Sequence, residues 1–206
     1  MRRLFHQKTS RWVLAASLVL LLCPGIAEAH LVTTGLGPVY DGISHLALSP
    51  EDWVPVLALA FFAGLRGPEA GRYTLFLLPV AWLAGGLVGL RAQTLPAFAI
   101  PAISFLIPGA LVAADLRMKP GAVAVLAVIL GFIHGWRNGA VMQLAASGAL
   151  ELIGMISALF VVVALVAAFV VSLKRPWTRI AVRVAGSWIA ATGLLLLGWS
   201  LHRGPL

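Results

Sequence analysis

Charge is scarce in this sequence: Asp, Glu, Lys and Arg make up 11% of its 206 residues, while 61% are hydrophobic. A soluble domain carries roughly 25% charged residues to stay solvated, and no stretch here is long and polar enough to form one. Thiols are scarcer still. The only cysteine, Cys23, lies in a segment with the marks of a secretory signal, so the mature chain is expected to hold neither a disulfide nor a thiolate metal site. Without a Walker A loop, ATP hydrolysis by this chain is not expected. Without His-Glu-x-x-His or Gly-x-Ser-x-Gly, neither is a zinc protease or a nucleophile-elbow hydrolase. The net charge of +8 is scattered between apolar runs instead of clustered, which excludes nucleic acid as the expected partner.

What the chain has in abundance is apolar sequence in runs of about 20 residues, the length of a helix that spans lipid. Lipid offers backbone groups no partner, so such runs form helices that satisfy their own hydrogen bonds. Residues 1–29 read as a signal peptide. Arg2, Arg3, Lys8 and Arg11 form a basic start, Trp12 to Leu22 an apolar core, and Ala27-Glu28-Ala29 a small-x-small cleavage site. Cleavage would make His30 the first mature residue; an uncleaved first helix is the competing reading. Residues 30–206 read as one polytopic membrane domain, with spans at 50–65, 73–90, 95–114, 121–143, 150–173 and 180–201. The expected fold is an all-α membrane protein of about six transmembrane helices after the signal peptide, in the bacterial inner membrane.

Loop charge orients these spans. With the mature N-terminus in the periplasm, the cytoplasmic segments hold Arg66, Arg72, Arg117, Lys119, Lys174, Arg175, Arg179 and Arg183, against Arg91 and Arg203 outside. That asymmetry follows the positive-inside rule, and moving the count by one span would reverse it. The first span opens on Ser49-Pro50-Glu51-Asp52, a helix start with Ser as N-cap, Pro at the first position and acids in the first turn. The apolar segment before it, Pro38 to Leu48, predicts a short helix or re-entrant turn; one longer helix kinked at Pro50 is the alternative.

Ionisable groups inside a membrane are costly, so each one present needs a reason. Asp41 and His45 are four residues apart and would share one helix face, where they can bind a divalent cation or simply hydrogen-bond to each other. His134 lies deep in the fourth expected span, with Asn138 four residues on and Arg137 between them. Around it Gly131, Gly135 and Gly139 repeat every fourth residue, a spacing that lets a neighbouring helix approach closely. His134 is then either a ligand or a histidine hydrogen-bonded across that seam. Glu151, one turn into the fifth span, is a candidate ligand, a proton acceptor or an acid near the headgroups. Asp115, beside Arg117 and Lys119, reads as an interfacial ion pair. The expected topology places Asp41, His45, His134, Asn138 and Glu151 in the same outer half of the membrane, with His30 on that face too.

At these residues the sequence resembles the HupE/UreJ family of small membrane proteins, which are encoded with nickel enzymes such as hydrogenase and urease. The matching residues are His30, the Asp41/His45 pair and His134-Gly135, with Gly35-Leu36-Gly37-Pro38-Val39-Tyr40-Asp41-Gly42 and Ser49-Pro50-Glu51-Asp52 marking a divergent branch. The likeness covers most of the mature chain. It departs from the better-known members at Leu31, where they have proline, and at Asn138, where they often have a second histidine. Arg137 also sets a cation beside the expected site.

The resemblance implies a permease for a divalent transition metal, nickel or cobalt, with His30, Asp41 and His45 at the outer mouth and His134 within the membrane. Asn138 and Glu151 are accessory groups in this reading. Imidazole and carboxylate ligands suit Ni, Co, Zn or Cu(II) alike. The ion would be cargo, with no permanently bound cofactor. Inward movement needs no ATP, because a doubly charged ion crossing roughly 100 mV gains about 4.6 kcal/mol from the membrane potential. The competing reading is a non-transporting metal sensor or an assembly partner, whose glycine seam serves a second copy or a metalloenzyme maturation protein. An intramembrane enzyme ranks last.

Overall fold

The computed structural model describes residues 33–91, 100–143 and 147–203, and every regular element among them is an α-helix. In chain order these are α1 (Pro38–Leu48), α2 (Pro50–Arg66), α3 (Pro68–Gly89), α4 (Ile100–Ala114), α5 (Pro120–Met142), α6 (Gly148–Ser172) and α7 (Pro176–Arg203). The expected signal peptide and His30 lie outside the described residues. Five of the seven helices begin on proline. Its ring presets the helical φ, and its missing N–H is one that a first turn would leave unpaired anyway.

Each of the six expected spans contains a helix, but among the described residues fewer helices are long and apolar enough to cross a membrane. By length and composition α3, α5, α6 and α7 can cross a membrane, and α1 with α2 make a fifth only as one bent pair. The 15 described residues of α4 extend about 22 Å at 1.5 Å per residue, short of a hydrocarbon core of about 30 Å. Among the described residues four helices, or five spans with the bent pair, are long and apolar enough to cross a membrane, and a sixth is not shown.

The break between α1 and α2 shapes the whole bundle. Pro50 has no N–H to return to the carbonyl of Leu46, so the first helix ends there and the second departs at 74°. Ser49 holds the N-cap position of α2, yet its hydroxyl makes no capping bond. Its carbonyl instead receives the Asp52 and Trp53 amides at 2.9 and 3.2 Å. At the far end of α2, Gly67 alone connects to α3, with φ 108° and ψ −178°. That conformation is essentially restricted to glycine, and it joins the two helices through a single residue.

Two apolar clusters fill the interior. One gathers Val56, Leu59, Leu78, Trp82, Leu152, Met155 and Leu159 from α2, α3 and α6. The other, toward the Arg66 end, packs Phe62, Val112, Val123, Val170 and Val182. Between α3 and α5 the approach is as close as helices can make. A Cβ on Gly135 would run into the Trp82 carbonyl, and one on Gly139 into the Gly86 carbonyl. α1 crosses α6 in the same way, where a Cβ on Gly42 would strike the Glu151 carbonyl. In lipid no hydrophobic force draws helices together, so this backbone contact and its dispersion energy carry the association. α7 lies outermost and exposes Trp177, Trp188, Leu194 and Leu195.

The basic segments collect at one end. Arg66, at the last turn of α2, pairs with Asp115, which closes α4 at φ 50°. From α7, Arg179 and Arg183 donate to the Leu65 and Ala113 carbonyls at 3.2 and 3.1 Å. Both carbonyls belong to final turns whose acceptors have no intrahelical donor, so the arginines act as side-chain caps.

Replacing Gly135 by leucine should lower the thermal midpoint of the purified protein or abolish its folded elution peak. Overpacking of this kind costs about 1–3 kcal/mol where neighbours can yield, and the neighbour here is backbone. Gly198→Ala, where a Cβ meets nothing within 4 Å, should leave the midpoint unchanged or raise it.

Candidate functional site

Four side chains from three helices meet near the bend. α1 supplies His45 from its last turn, the first turn of α2 supplies Asp52, and α5 supplies His134 and Asn138. Asp52 and His134 are 3% and 1% exposed, inside a bundle whose lining is otherwise almost wholly apolar. The placement of Asp52 follows from α2's own periodicity. Asp52, Val56, Leu59 and Ala63 form one buried stripe at helical spacing, and the 74° bend turns its first turn inward.

The hydrogen bonds fix which atoms donate and which accept. Asn138 Nδ2 donates to Asp52 Oδ2 at 3.0 Å and to the His134 carbonyl at 2.9 Å. Its Oδ1 must therefore face His45, and at 3.0 Å it accepts from His45 Nε2. A carboxylate only accepts, so the 2.7 Å contact between Asp52 Oδ1 and His134 Nδ1 is donated by the imidazole. The other ring nitrogen of His134 is Nε2. That atom is buried and has no hydrogen-bond partner.

Two further contacts hold the ring. The Trp82 indole lies against it, with centroids 5.5 Å apart and planes tilted by 32°. The absence of a side chain at Gly135 lets α3 come close enough for this. Asp52 meanwhile sits in the first turn of α2, where the unpaired amides of the helix start favour a negative charge.

The other expected residues are placed differently. Asp41 does not bond to His45; its Oδ1 accepts from the Thr34 amide and hydroxyl, both at 2.6 Å. This local turn holds the carboxylate at the start of α1. Glu151 is buried beside α1, and its Oε1 accepts from the Ser147 hydroxyl at 2.9 Å. Arg137 Nη1 is buried without a hydrogen-bond partner and does not reach the carboxylate of Asp52. Gly131, Gly135 and Gly139 all face α3. His30 is outside the described residues. Among the described residues, no group of three or more His, Cys, Asp or Glu side chains is disposed to hold a metal ion.

Sequence reasoning missed Asp52 and Trp82. Asp52 read only as an acid of a helix start, although its register with Val56 and Leu59 already placed it on the buried stripe. No local pattern marks Trp82, because it is one apolar residue of an apolar helix. On another side of His134 lies a cavity of about 190 Å³, walled by Leu59, Ile103, Ile107 and Leu130.

A family model described as HupE / UreJ protein matches residues 18–196 of the chain. No curated protein and no solved structure gives a match.

Asp52→Ala should destabilise the protein by roughly 1–3 kcal/mol, because it strands the His134 Nδ1–H and one Asn138 donor in the interior. Thermal unfolding in detergent reads this directly. Asp41→Ala, which removes only contacts to Thr34, should shift the midpoint far less.

Proposed function

Since this chain belongs to the HupE / UreJ family, we propose that it is a permease for a divalent transition metal, nickel or cobalt, in the bacterial inner membrane. The observation that carries the reading is the unpartnered Nε2 of His134, whose opposite ring nitrogen is held by Asp52. A carboxylate on the far nitrogen is the arrangement that orients a metal-binding imidazole and raises its basicity. The buried negative charge of Asp52 offsets part of an incoming ion's desolvation, and Asn138 Oδ1 offers a neutral oxygen.

Loading requires a small rearrangement. Asn138 Oδ1 is engaged by His45 in this conformation, so an arriving ion displaces that bond and frees both groups to ligate. His45 is the outermost of the four and receives the ion; His134 and Asp52 take it inward. His30, Asp41 and Glu151 belong to the outer mouth, where they raise the local cation concentration without entering the cluster. In this reading a signal peptide is removed, the mature N-terminus is periplasmic, and about six segments cross or enter the membrane. The Arg66–Asp115 end is then cytoplasmic, in keeping with the positive-inside rule. The inside-negative potential supplies the driving force.

The assembly-partner reading relies on the glycine seam of α5, and that face is already filled by α3. No catalytic activity is part of the proposal.

The test is metal accumulation in cells lacking their own nickel and cobalt uptake, at matched membrane levels of protein. Wild type should raise cell-associated nickel or cobalt. His134→Ala and Asp52→Asn should reduce the rate by about tenfold or more, corresponding to roughly 1.4 kcal/mol or more of lost stabilisation. Unchanged metal content with wild type would refute transport of these ions.

A further inference from the structure

Several helix hydroxyls among the described residues share one arrangement. Ser157, Ser187, Thr192 and Ser200, all on exposed positions, return their hydroxyls to carbonyls of the preceding turn at 2.7–3.0 Å. This is the ordinary behaviour of hydroxyl side chains in apolar helices. Thr74, on α3, is 0% exposed, and its Oγ1 has no hydrogen-bond partner. A hydroxyl is thus left unpaired where water is absent and pairing matters most.

Thr74 shares a buried stripe of α3 with Leu78 and Trp82. Trp82 is the residue against the His134 ring, and its Nε1–H is also buried and unpaired. Eight residues separate Thr74 from Trp82, a rise of about 12 Å along the helix. The direction is away from the start of α2 and toward the Arg66 end. From His134, therefore, orphan polar atoms continue along α3. The cavity that His134 itself lines adds no further orphan: its other walls include Leu59, Ile103, Ile107 and Leu130, and the hydroxyl of its Ser104 donates to the Pro101 carbonyl at 3.0 Å.

We propose that Thr74 is a second oxygen station for the translocated cation, met after it leaves His134. This inference rests on the permease reading. A hydroxyl oxygen can replace one water in the ion's shell, and the indole N–H, which only donates, suits a water carried with the ion. Thr74 is sealed in the present conformation, so its oxygen is engaged only when α3 and its neighbours separate to pass the ion. The unpaired hydroxyl then lowers the barrier on the inner part of the route and does not set capture at the outer site.

The experiment compares Thr74→Val, an isosteric loss of the hydroxyl, with Thr74→Ser, which keeps it. Initial uptake rates are measured against nickel and cobalt concentration in the same metal-uptake-deficient cells. Thr74→Val should lower the maximal rate by about tenfold, leave the half-saturating concentration unchanged, and fold at least as stably as wild type. Thr74→Ser should retain most of the rate. Wild-type kinetics in Thr74→Val, with His134→Ala inactive in the same cells, would overturn this inference alone. Equal loss in both variants, accompanied by lower thermal stability, would also overturn it and make Thr74 a packing residue. Absence of uptake by wild type would remove the permease reading and this inference together.

Discussion

The hydrogen bond between Asp52 and His134 is the contact around which the rest of the protein is arranged. A carboxylate and an imidazole buried in a membrane bundle are expensive separately. Together they satisfy each other, and Asn138 occupies the second carboxylate oxygen. Forming the contact requires the first turn of α2 to point into the bundle, which the break at Pro50 provides. It also requires α5 to present His134 inward, against α3, and the glycines on that face allow the approach. A change in either helix would separate the pair and leave two uncompensated polar groups in an apolar interior.

The same geometry accounts for what the cluster leaves open. With Nδ1–H donated to Asp52, the remaining ring nitrogen faces surroundings that give it no hydrogen-bond partner. Among the described residues, buried side-chain atoms of Trp82, Thr74, Trp136, Arg137 and Arg66 are also without a hydrogen-bond partner. Buried groups without partners store a cost that folding alone does not explain. Five of the six lie on α3 and α5, and the sixth, Arg66 Nε, ends α2.

Much of the fold is legible in the sequence because proline, glycine and charge punctuate the apolar runs. The segment expected at 121–143 is the helix Pro120–Met142, and the helix before α2 is separate, as Pro50 demands. α3 begins at Pro68, a turn before the expected residue 73, because Glu69 and Arg72 look like loop residues. They form its first turns instead, where Tyr73 donates to Glu69 at 3.1 Å. The number of spans is less legible, since a short helix and a bent pair both read as apolar runs and only four or five spans are shown among the described residues. For the site, polarity inside an apolar run singles out His134 and Asn138. The partner carboxylate depends on the angle at Ser49–Pro50, which local sequence does not specify. Spacing alone therefore favoured Asp41, four residues from His45, over Asp52, whose side chain the bend delivers.

The central claim, that Asp52 prepares His134 to receive a metal ion, is tested most directly by equilibrium binding of nickel or cobalt to the purified protein, with X-ray absorption at the metal edge. One saturable ion per chain is predicted, in a shell of nitrogen and oxygen only, with imidazole scattering that disappears in His134→Ala. The absence of saturable binding, or an identical metal spectrum in that variant, would contradict the account.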